Sequence, residues 1–314
     1  MRFSIWGAGS VGLGLATTLA TEQTPLLLIG RDAATTDAIR REGLQRTGLF
    51  GERVVPADWL RMTDDAANLQ DDPPDWLLIC TKTVGGAAVA TKLKTFAAAL
   101  PETKLLLCQN GWGNEAPFRS FWPSARLFHA RVITGFHRRS QRCVEITAHA
   151  SPIALGSIFG AEIGSLSEVA SLITAGGVPA ETTDEMRGVL WAKMLYNCAL
   201  NPLGALAGRR YGELTADPTT CRIVEQVVRE IFDVLGKAKI PVEWPNADAY
   251  LDAFHRELIP PTAEHESSML QDLRAGRATE IEALCGAVEN LASEVDVETP
   301  VVSALATLVR TAEE

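Results

Sequence analysis

Three polar residues within the segment 188–203 have the types and spacing of a catalytic group: Lys193, Asn197 and Asn201. They are four residues apart, so on a helix they lie along one face, about one turn from each other. The residues around them are almost all apolar, whereas a surface helix normally has a broad polar face. A lysine on such a helix could donate a proton to a substrate, with the two amides as hydrogen-bonding groups. A structural Lys–Asn network between helices is the alternative.

Burial of this helix should tune the lysine for acid catalysis. Its apolar neighbours are expected to lower the pKa of Lys193 from its ordinary value of about 10.4 toward the working pH. A nearby carboxylate would oppose that shift, and Glu280 is the candidate for it. We expect the helix to end at Asn201-Pro202, because proline disfavours the helical conformation of the residue that precedes it.

A glycine-rich motif follows a short strand-like run at residues 2–6 and precedes a helical pattern that extends to about residue 21. Its members are Gly7, Ala8, Gly9, Ser10, Val11 and Gly12. In the spacing G-x-G-x-x-G, the first glycine permits a tight turn, the second lets a pyrophosphate approach and the third lets helix and strand pack closely. The helix N-terminus then offers N–H groups to the phosphates. The motif predicts a dinucleotide site, with a glycine-rich turn of no function as the alternative.

The residues after the second predicted strand indicate which dinucleotide binds. An NAD site would have an acidic residue here for the ribose hydroxyls, whereas Gly30-Arg31-Asp32 follows the strand at 25–29. Arg31 is suited to a 2′-phosphate, which favours NADP(H) over NAD. Asp32 could still bind the ribose, although it is also expected to cap the helix at 33–42.

Polar residues also follow the next two buried strands. Lys82 comes after the strand at 76–80, and Gln109-Asn110-Gly111 follows the strand at 104–108. Open α/β sheets bind ligands at the carboxyl ends of their strands. We therefore expect a shared cleft there, while Asn110-Gly111 also has the composition of a turn.

A second polar constellation lies near the C-terminus. Ser267 and Ser268 are surface or capping residues in one interpretation and ligand-binding residues in the other. Thr279 and Glu282 have the spacing of a capping box, which predicts a helix start near 280, with Glu280 in the first turn.

The order of the elements predicts the fold class. Strands are predicted at 2–6, 25–29, 52–55, 76–80, 104–108, 127–133, 143–147, 153–155 and 178–181, with helices between them at 33–42, 84–98 and 164–175. Only helices follow, at 185–201, 217–237, 246–258, 265–275, 280–294 and 301–312. This order predicts an α/β N-terminal Rossmann-type domain with a mainly parallel sheet at residues 1–183. An all-α C-terminal domain is predicted at residues 184–314.

Composition excludes several classes of protein. A net charge of −10 over 314 residues argues against a nucleic-acid binder, and no apolar run has the length of a membrane span. The six cysteines are scattered without a C-x-x-C pair, so we expect reduced thiols and no metal site. The chain begins in a strand pattern without a signal-peptide pattern, so we expect a cytoplasmic protein.

With these residues together, the chain resembles the ketopantoate reductase (2-dehydropantoate 2-reductase) family nearly from end to end. The resemblance rests on the glycine motif, Arg31, Lys82 and residues 109–111, and more specifically on three later motifs. These are Leu190-Trp191-x-Lys193 with Asn197-x-x-x-Asn201-Pro202-Leu203, then Ser267-Ser268-Met269-Leu270-Gln271-Asp272, and Thr279-Glu280-Ile281.

The resemblance implies NADPH-dependent reduction of 2-dehydropantoate to D-pantoate, on the route to pantothenate and coenzyme A. The Rossmann domain would bind NADPH, and the helical domain would close over it. By similarity, Lys193 would donate the proton to the carbonyl oxygen, and Asn110, Asn197, Asn201 and Ser268 would hold the substrate.

The cofactor, or the substrate beside it, would by the same resemblance contact Lys82, Asn110 and Glu280. Two family asparagines are absent: Tyr211 stands in place of one, and His265 in place of the other, before the paired serines. The family's glycine-rich hairpin after residue 134 is also replaced, by Gly135-Phe-His-Arg-Arg-Ser-Gln.

These departures keep other functions open. A related NADP-dependent reductase of another small 2-oxo acid is the first alternative. A non-catalytic NADP-binding sensor is the second, and it predicts a disrupted catalytic stripe, whereas Lys193, Asn197, Asn201 and Glu280 are all present. A homodimer would fit the apolar helical domain, as would a monomer with an internal core.

Overall fold

The chain folds into two compact units, as described for all 314 residues by a computed structural model. The first unit contains residues 1–109 and 114–186, and the second contains residues 110–113 and 187–314. The short segment 110–113 therefore packs with the later part of the chain, which its position in the sequence did not indicate.

The first unit is built around a mainly parallel sheet. Its strands are β1 (Phe3–Trp6), β2 (Leu26–Ile29), β3 (Leu44–Gly48), β4 (Arg53–Val55), β5 (Leu60–Thr63), β6 (Trp76–Ile79), β7 (Lys104–Leu107), β8 (Leu127–Arg131), β9 (Thr134–Arg138), β10 (Cys143–His149), β11 (Ile153–Gly156) and β12 (Ala180–Thr182). Its helices are α1 (Ser10–Leu19), α2 (Ala33–Glu42), α3 (Gly86–Lys94) and α4 (Gly164–Ala175). Eight strands form one sheet in the order β12-β11-β8-β7-β6-β1-β2-β5. Only the pairing of β11 with β8 is antiparallel, so the predicted mainly parallel sheet is confirmed.

Both faces of this sheet are buried, which explains why its strands are continuous apolar runs. In β2, Leu26 and Leu28 belong to one hydrophobic core, whereas Leu27 and Ile29 belong to another. Successive side chains of a strand point to opposite faces, so each core collects alternate residues. The order places β1 between β2 and β6, with the glycine motif directly after its carboxyl end.

A second sheet, in the order β4-β3-β10-β9, was not predicted. The sequence patterns also missed β3 and β9 within it and β5 at the edge of the larger sheet. The strand β3 has the sequence Leu-Gln-Arg-Thr-Gly. Its Arg46 is 3% exposed, and Nη1 of this residue donates a hydrogen bond to the carbonyl oxygen of Gly176 at 2.8 Å. A buried arginine with a backbone partner breaks the apolar pattern by which strands are recognised.

The second unit is all-α, as predicted. Its helices are α5 (Met186–Ala207), α6 (Tyr211–Ala216), α7 (Pro218–Ala238), α8 (Ala247–Ala253), α9 (Ser268–Arg274), α10 (Cys285–Glu294) and α11 (Pro300–Ala312). A π-helical turn, Phe254–Leu258, continues α8. None of the helices combines the length and apolarity needed to cross a lipid bilayer.

The predicted end of α5 at Asn201-Pro202 is wrong. The helix passes through Pro202 and ends at Ala207, and the short α6 that follows was not predicted. Proline lacks the N–H that would bond to the carbonyl four residues earlier, which costs about 3 kcal/mol in a helix interior. Burial of Leu200, Leu203 and Ala205 in the core of this unit offsets that cost.

The predicted helix start near 280 is also wrong. Thr279 accepts a hydrogen bond from the N–H of Ile281, but the Glu282 carboxylate binds Arg310 at 2.6 and 2.9 Å instead of closing a capping box. A single 3₁₀ turn therefore follows Glu280, and α10 begins only at Cys285.

Candidate active site

The helix α5 carries a polar stripe on an otherwise buried surface. Trp191, Leu195 and Cys198 are fully buried, while Lys193 and Asn197 are partly exposed and Asn201 is 7% exposed. The inverted pattern inferred from the sequence is therefore present in the structure. A helix packed on most sides holds its few polar side chains in fixed positions, as a catalytic or binding group requires.

Asn110 is held beside this helix by its own short segment. Gly111 has φ of +88°, and a Cβ there would lie 2.3 Å from the carbonyl oxygen of Ala283. The N–H of Trp112 donates to that same carbonyl at 2.9 Å, and the Trp112 ring lies 5.3 Å from that of Trp191. Only glycine allows so close an approach of the two chain segments. The predicted turn is thus also a device that fixes the position of the Asn110 side chain.

Lys193, Asn110 and Glu280 form a continuous hydrogen-bonded chain. The Nζ of Lys193 donates to Oδ1 of Asn110 at 2.6 Å, and Nδ2 of Asn110 donates to Oε2 of Glu280 at 3.1 Å. The two bonds fix the orientation of the amide, since its oxygen faces the ammonium and its nitrogen faces the carboxylate. The amide thus binds the ammonium with one end and the carboxylate with the other.

A small cavity lies against the Asn110 and Glu280 end of this chain, whereas Lys193 is not among its lining residues. It is lined by Asn110, Asn197, Asn201, Ser268, Met269, Asp272, Glu280 and Leu284. All the substrate-contacting residues suggested by the resemblance are in this group. Most of the lining is polar, with three amides, a hydroxyl and two carboxylates.

Tyr211 determines which hydrogen-bonding groups Asn201 can offer to a ligand. Its hydroxyl donates to Oδ1 of Asn201 at 2.5 Å, and its ring contacts that of His265 at 5.1 Å. Burial raises the pKa of Tyr211 well above its usual range, so the phenol stays protonated and remains a donor. This bond fixes the orientation of the Asn201 amide, whose two N–H donors and second oxygen lone pair are left for other partners. Sequence comparison had identified Tyr211 only as a departure and gave no sign of this contact.

The two serines have different environments. Ser267 is fully buried and caps α9, since its hydroxyl accepts from the N–H of Leu270 at 3.1 Å. Ser268 is exposed and lines the cavity. Asp272, which sequence reasoning did not assign to the site, is 2% exposed in the same lining, with Arg277 donating to its Oδ1 at 2.9 Å. Its spacing could have indicated this position, because Asp272 follows Ser268 by four residues, about one turn, on α9.

The glycine motif of the first unit fits a dinucleotide. Gly7 has φ of +122°, and a Cβ there would lie 2.7 Å from the backbone of Cys80. A Cβ on Gly12 would lie 1.9 Å from the carbonyl oxygen of Gly7. A Cβ on Gly9, by contrast, would have nothing within 4 Å, so its surface is open at the N-terminus of α1. Turn, open approach and close packing therefore occur at the three positions where a pyrophosphate site needs them.

The residues after β2 form a positively charged corner in the same unit. Arg31 is exposed, and no hydrogen bond or ion pair ties its side chain to the protein. Asp32 caps α2 by accepting from the N–H of Ala34 at 3.2 Å, as predicted, and it also accepts from the Thr35 hydroxyl. That second bond, together with the cap, lowers the pKa of Asp32.

Arg138, on β9, is a second cation at this corner that sequence reasoning missed. It lies 3.6 Å from the Asp32 carboxylate, binds the Thr35 hydroxyl and donates to the carbonyl oxygen of Ala8 at 3.4 Å. It was missed because its strand was not predicted. The carboxylate that would grip a ribose in an NAD site is thus already engaged by protein groups.

Lys82 and Gln109 follow β6 and β7, as expected from the sequence. Gln109 is 7% exposed, and its Nε2 donates to the carbonyl oxygen of Lys82 and to the Thr81 hydroxyl, both at 3.3 Å. The Oε1 of Gln109 is buried and has no hydrogen-bond partner in the protein. A buried acceptor without a partner is costly, so this oxygen is a candidate contact for a bound ligand.

Comparison with known proteins assigns the family. Residues 3–160 match the profile described as "Ketopantoate reductase PanE/ApbA", and residues 185–313 match its C-terminal counterpart. A protein of Aquifex aeolicus named 2-dehydropantoate 2-reductase is 32% identical, over 96% of this chain and 93% of its own. One from Halobacterium salinarum with the same name is 29% identical, over 100% and 99% of the two chains.

Solved structures show the same fold. A ketopantoate reductase from Ralstonia eutropha superposes with a TM-score of 0.84 at 26% identity, over 100% of this chain and 98% of that one. A D-mandelate dehydrogenase solved with NADH and anilino(oxo)acetate gives 0.85 at 22% identity, again over 100% and 98%. At that identity the second likeness concerns the fold alone. The two family profiles together match most of the sequence, and with the relatives they establish that this chain is a member of the ketopantoate reductase family of oxidoreductases.

Proposed function

We propose that the protein reduces a small 2-oxo acid, 2-dehydropantoate first among them, to the 2-hydroxy acid with NADPH. Residues 1–183 would bind the cofactor, and residues 184–314 would bind the substrate and supply the proton. The observation that carries the proposal is the Lys193–Asn110–Glu280 chain beside a cavity lined with amides. Names of relatives that cover nearly the whole chain support it.

The cofactor would supply a hydride to the ketone carbon, which leaves negative charge on the ketone oxygen. Lys193 would neutralise that charge by donating a proton from Nζ. Asn110 would hold the ammonium in position through its Oδ1, and Glu280 would hold Asn110 through its Nδ2. Asn110 is a partner that fixes the direction of the ammonium and carries no net charge.

The carboxylate of the substrate would be bound mainly by neutral donors. Asn201, whose oxygen is oriented by the Tyr211 hydroxyl, would offer its N–H groups, and Asn197 and Ser268 line the same cavity. The acidic groups of the lining are balanced, since Asp272 is paired with Arg277 and Glu280 is linked to Lys193 through Asn110. An anionic substrate would therefore meet little net negative charge.

NADPH is preferred over NADH in this proposal because of the corner after β2. Arg31 is an uncommitted guanidinium, the group best suited to bind a phosphate through two parallel bonds. Asp32 is engaged by the α2 cap, by Thr35 and by Arg138. An NADP site needs the positive charge, whereas an NAD site needs the carboxylate.

A second candidate substrate is a 2-oxo acid other than 2-dehydropantoate. Tyr211 and His265 pack against each other at a position where the family often has asparagines, and Tyr211 binds the cavity residue Asn201 directly. An aromatic pair behind the cavity gives a different shape and fewer adjustable polar groups than two amides.

The decisive experiment is an NADPH-oxidation assay with a panel of 2-oxo acids that differ in the size of the side chain. A kcat/KM above about 10⁴ M⁻¹s⁻¹ for 2-dehydropantoate would be normal for a native substrate. A much higher value for another acid would identify that acid instead. Absence of turnover with every acid, together with tight NADPH binding, would support a sensor and contradict the proposal.

The role of Lys193 is tested separately by Lys193→Ala, with Lys237→Ala as the matched control on an exposed part of α7. Loss of a proton donor typically lowers the rate by about 10²–10⁴, so we expect kcat to fall by that factor. NADPH affinity, measured by fluorescence titration, should change little in either variant. Turnover of Lys193→Ala at the wild-type rate would remove Lys193 from the acid role.

A further inference from the structure

Three potential metal ligands meet on the surface of the helical unit, outside the cavity described above. Cys221 and Glu225 are one turn apart on α7, and His255 lies on the π-helical turn that follows α8. The Sγ of Cys221 is 3.6 Å from Oε1 of Glu225, and the Nε2 of His255 is 3.3 Å from that same oxygen. All three ligand atoms lie within 4.8 Å of one another.

These separations match the edges of a zinc coordination tetrahedron. With Zn–S of about 2.3 Å and Zn–N and Zn–O of about 2.0 Å, sulfur and oxygen would be about 3.5 Å apart, and nitrogen and oxygen about 3.3 Å. The cluster thus already has two of its three edges at the lengths that an ion requires. A thiolate, an imidazole and a carboxylate are all established zinc ligands, and the thiolate disfavours Mg²⁺ and Ca²⁺.

The charges at the cluster favour a cation. The only partners of the Glu225 carboxylate are Cys221 and His255, with no lysine or arginine to compensate its charge. Of the arginines near the cluster, Arg229 pairs with Asp248 and Arg256 pairs with Asp252, while the exposed Arg222, next to Cys221 on α7, makes no ion pair with Glu225.

The Cys221 thiol would have to lose its proton to bind an ion. The Cys221 thiol donates to Oε1 of Glu225, and burial together with this carboxylate raises the pKa of that thiol. On binding, the thiol would release its proton to solvent and the sulfur would coordinate as thiolate. The proton through which Nε2 of His255 faces the Glu225 carboxylate would pass through solvent to Nδ1, so that Nε2 becomes the ligand atom.

A π-helical turn sets the position of His255. π-Helical turns are rare and occur often at functional sites, because the extra residue redirects a side chain. Here the turn Phe254–Leu258 carries His255 toward the cysteine and glutamate of α7. Phe254 is fully buried in the core of the unit, which anchors the turn.

We propose that Cys221, Glu225 and His255 form a zinc-binding site with an open fourth position, which links α7 to the π-helical turn after α8. The site differs from the sequence-based expectation of no metal site, because Cys221 has no C-x-x-C partner and His255, which is distant along the chain, reaches it only in the fold. The site is independent of the reductase activity, since none of its residues lines the cavity.

The first test is a titration of the full-length, chelator-treated and reduced protein with Zn²⁺ by calorimetry. We expect one ion per chain with a Kd in the micromolar range or tighter. At a free zinc concentration of 100 times Kd, the melting temperature should rise by about 5 °C or more. Binding of Co²⁺ should produce a thiolate-to-metal charge-transfer band and the visible bands of tetrahedral cobalt. Absence of stoichiometric binding, or cobalt bound without the thiolate band, would overturn the proposal.

The second test uses variants with matched controls. Cys221→Ser and His255→Gln should each weaken zinc binding by about tenfold or more, and Cys221→Ser should abolish the charge-transfer band. The controls Cys143→Ser and His137→Gln change a partly exposed cysteine and an exposed histidine of the other unit, and should leave binding unchanged. Unaltered affinity in both ligand variants would refute the site. Should a ligand variant not fold, the wild-type cobalt spectrum still decides whether sulfur is a ligand.

Discussion

The glycine motif and the site around Lys193 and Asn110 depend on different parts of their residues. The motif depends on its backbone. Gly7 and Gly12 have no side chain, which allows neighbouring chain segments to contact them, and Gly9 leaves the surface at the N-terminus of α1 open. The cavity works through side chains, with Lys193 and Asn110 set by individual hydrogen bonds.

The difference predicts how each region responds to substitution. A backbone site fails when a side chain is added, either because the fold is damaged or because the ligand is blocked. A side-chain site fails when an atom is removed, with little effect on the fold. Substitutions in the two regions should therefore separate loss of folding from loss of binding.

The glycines should separate folding from cofactor binding. Gly12→Ala would place a Cβ 1.9 Å from a backbone oxygen, so we expect the free energy of unfolding to fall by about 3 kcal/mol in urea denaturation. Gly9→Ala has no such clash and an ordinary φ of −85°, so its stability should stay within about 1 kcal/mol of the wild type. Its NADPH affinity should nevertheless drop by about tenfold, because the methyl group meets the pyrophosphate. Equal stability of the two variants would contradict the backbone interpretation.

Arg31 tests a side-chain contribution within the backbone-built region. Arg31→Ala should raise the KM for NADPH by roughly 10- to 100-fold through loss of a charge-assisted contact, and leave the KM for NADH unchanged. Arg41→Ala, which removes another exposed arginine on the neighbouring α2, is the matched control. A similar rise for both cofactors would show that Arg31 does not contact the 2′-phosphate.

Tyr211→Phe should have the smallest effect, and it should be confined to the cavity. Loss of its hydroxyl frees Oδ1 of Asn201, so the amide can turn an acceptor toward the substrate carboxylate. One hydrogen bond is worth about 1 kcal/mol, which corresponds to a rise of roughly fivefold in the KM for the 2-oxo acid. Tyr196→Phe is the control, since the Tyr196 hydroxyl binds Thr262, outside the cavity lining. A change in the NADPH KM of Tyr211→Phe would indicate a broader disturbance.

Features that depend on local pattern were predictable from the sequence. The glycine motif, the buried strands of the large sheet and the cap at Asp32 all follow from short-range spacing. The polar stripe of α5 followed from the four-residue spacing of Lys193, Asn197 and Asn201, because a helix converts that spacing into a face.

Features that depend on distant partners were not predictable. Glu282 has the spacing of a capping box, but Arg310 competes for its carboxylate from the last helix. Pro202 has the signature of a helix end, but tertiary packing carries α5 past it. Arg138 was missed because its strand is stabilised by pairing with β10 and carries no apolar run of its own. In each case a long-range contact outweighs a local preference.

The segment 110–113 has a consequence for any attempt to divide this protein. It is encoded within the first family profile, residues 3–160, yet it packs with the helices encoded after residue 185. A fragment that begins at 185 would retain Lys193 and Glu280 and lack the carboxamide that hydrogen-bonds to both of them. Lys193 would then lose the acceptor that orients its ammonium, and Glu280 would lose the amide N–H that it binds. The helical unit is therefore complete only with the loop 110–113, which a cut between the two profiles would remove from it.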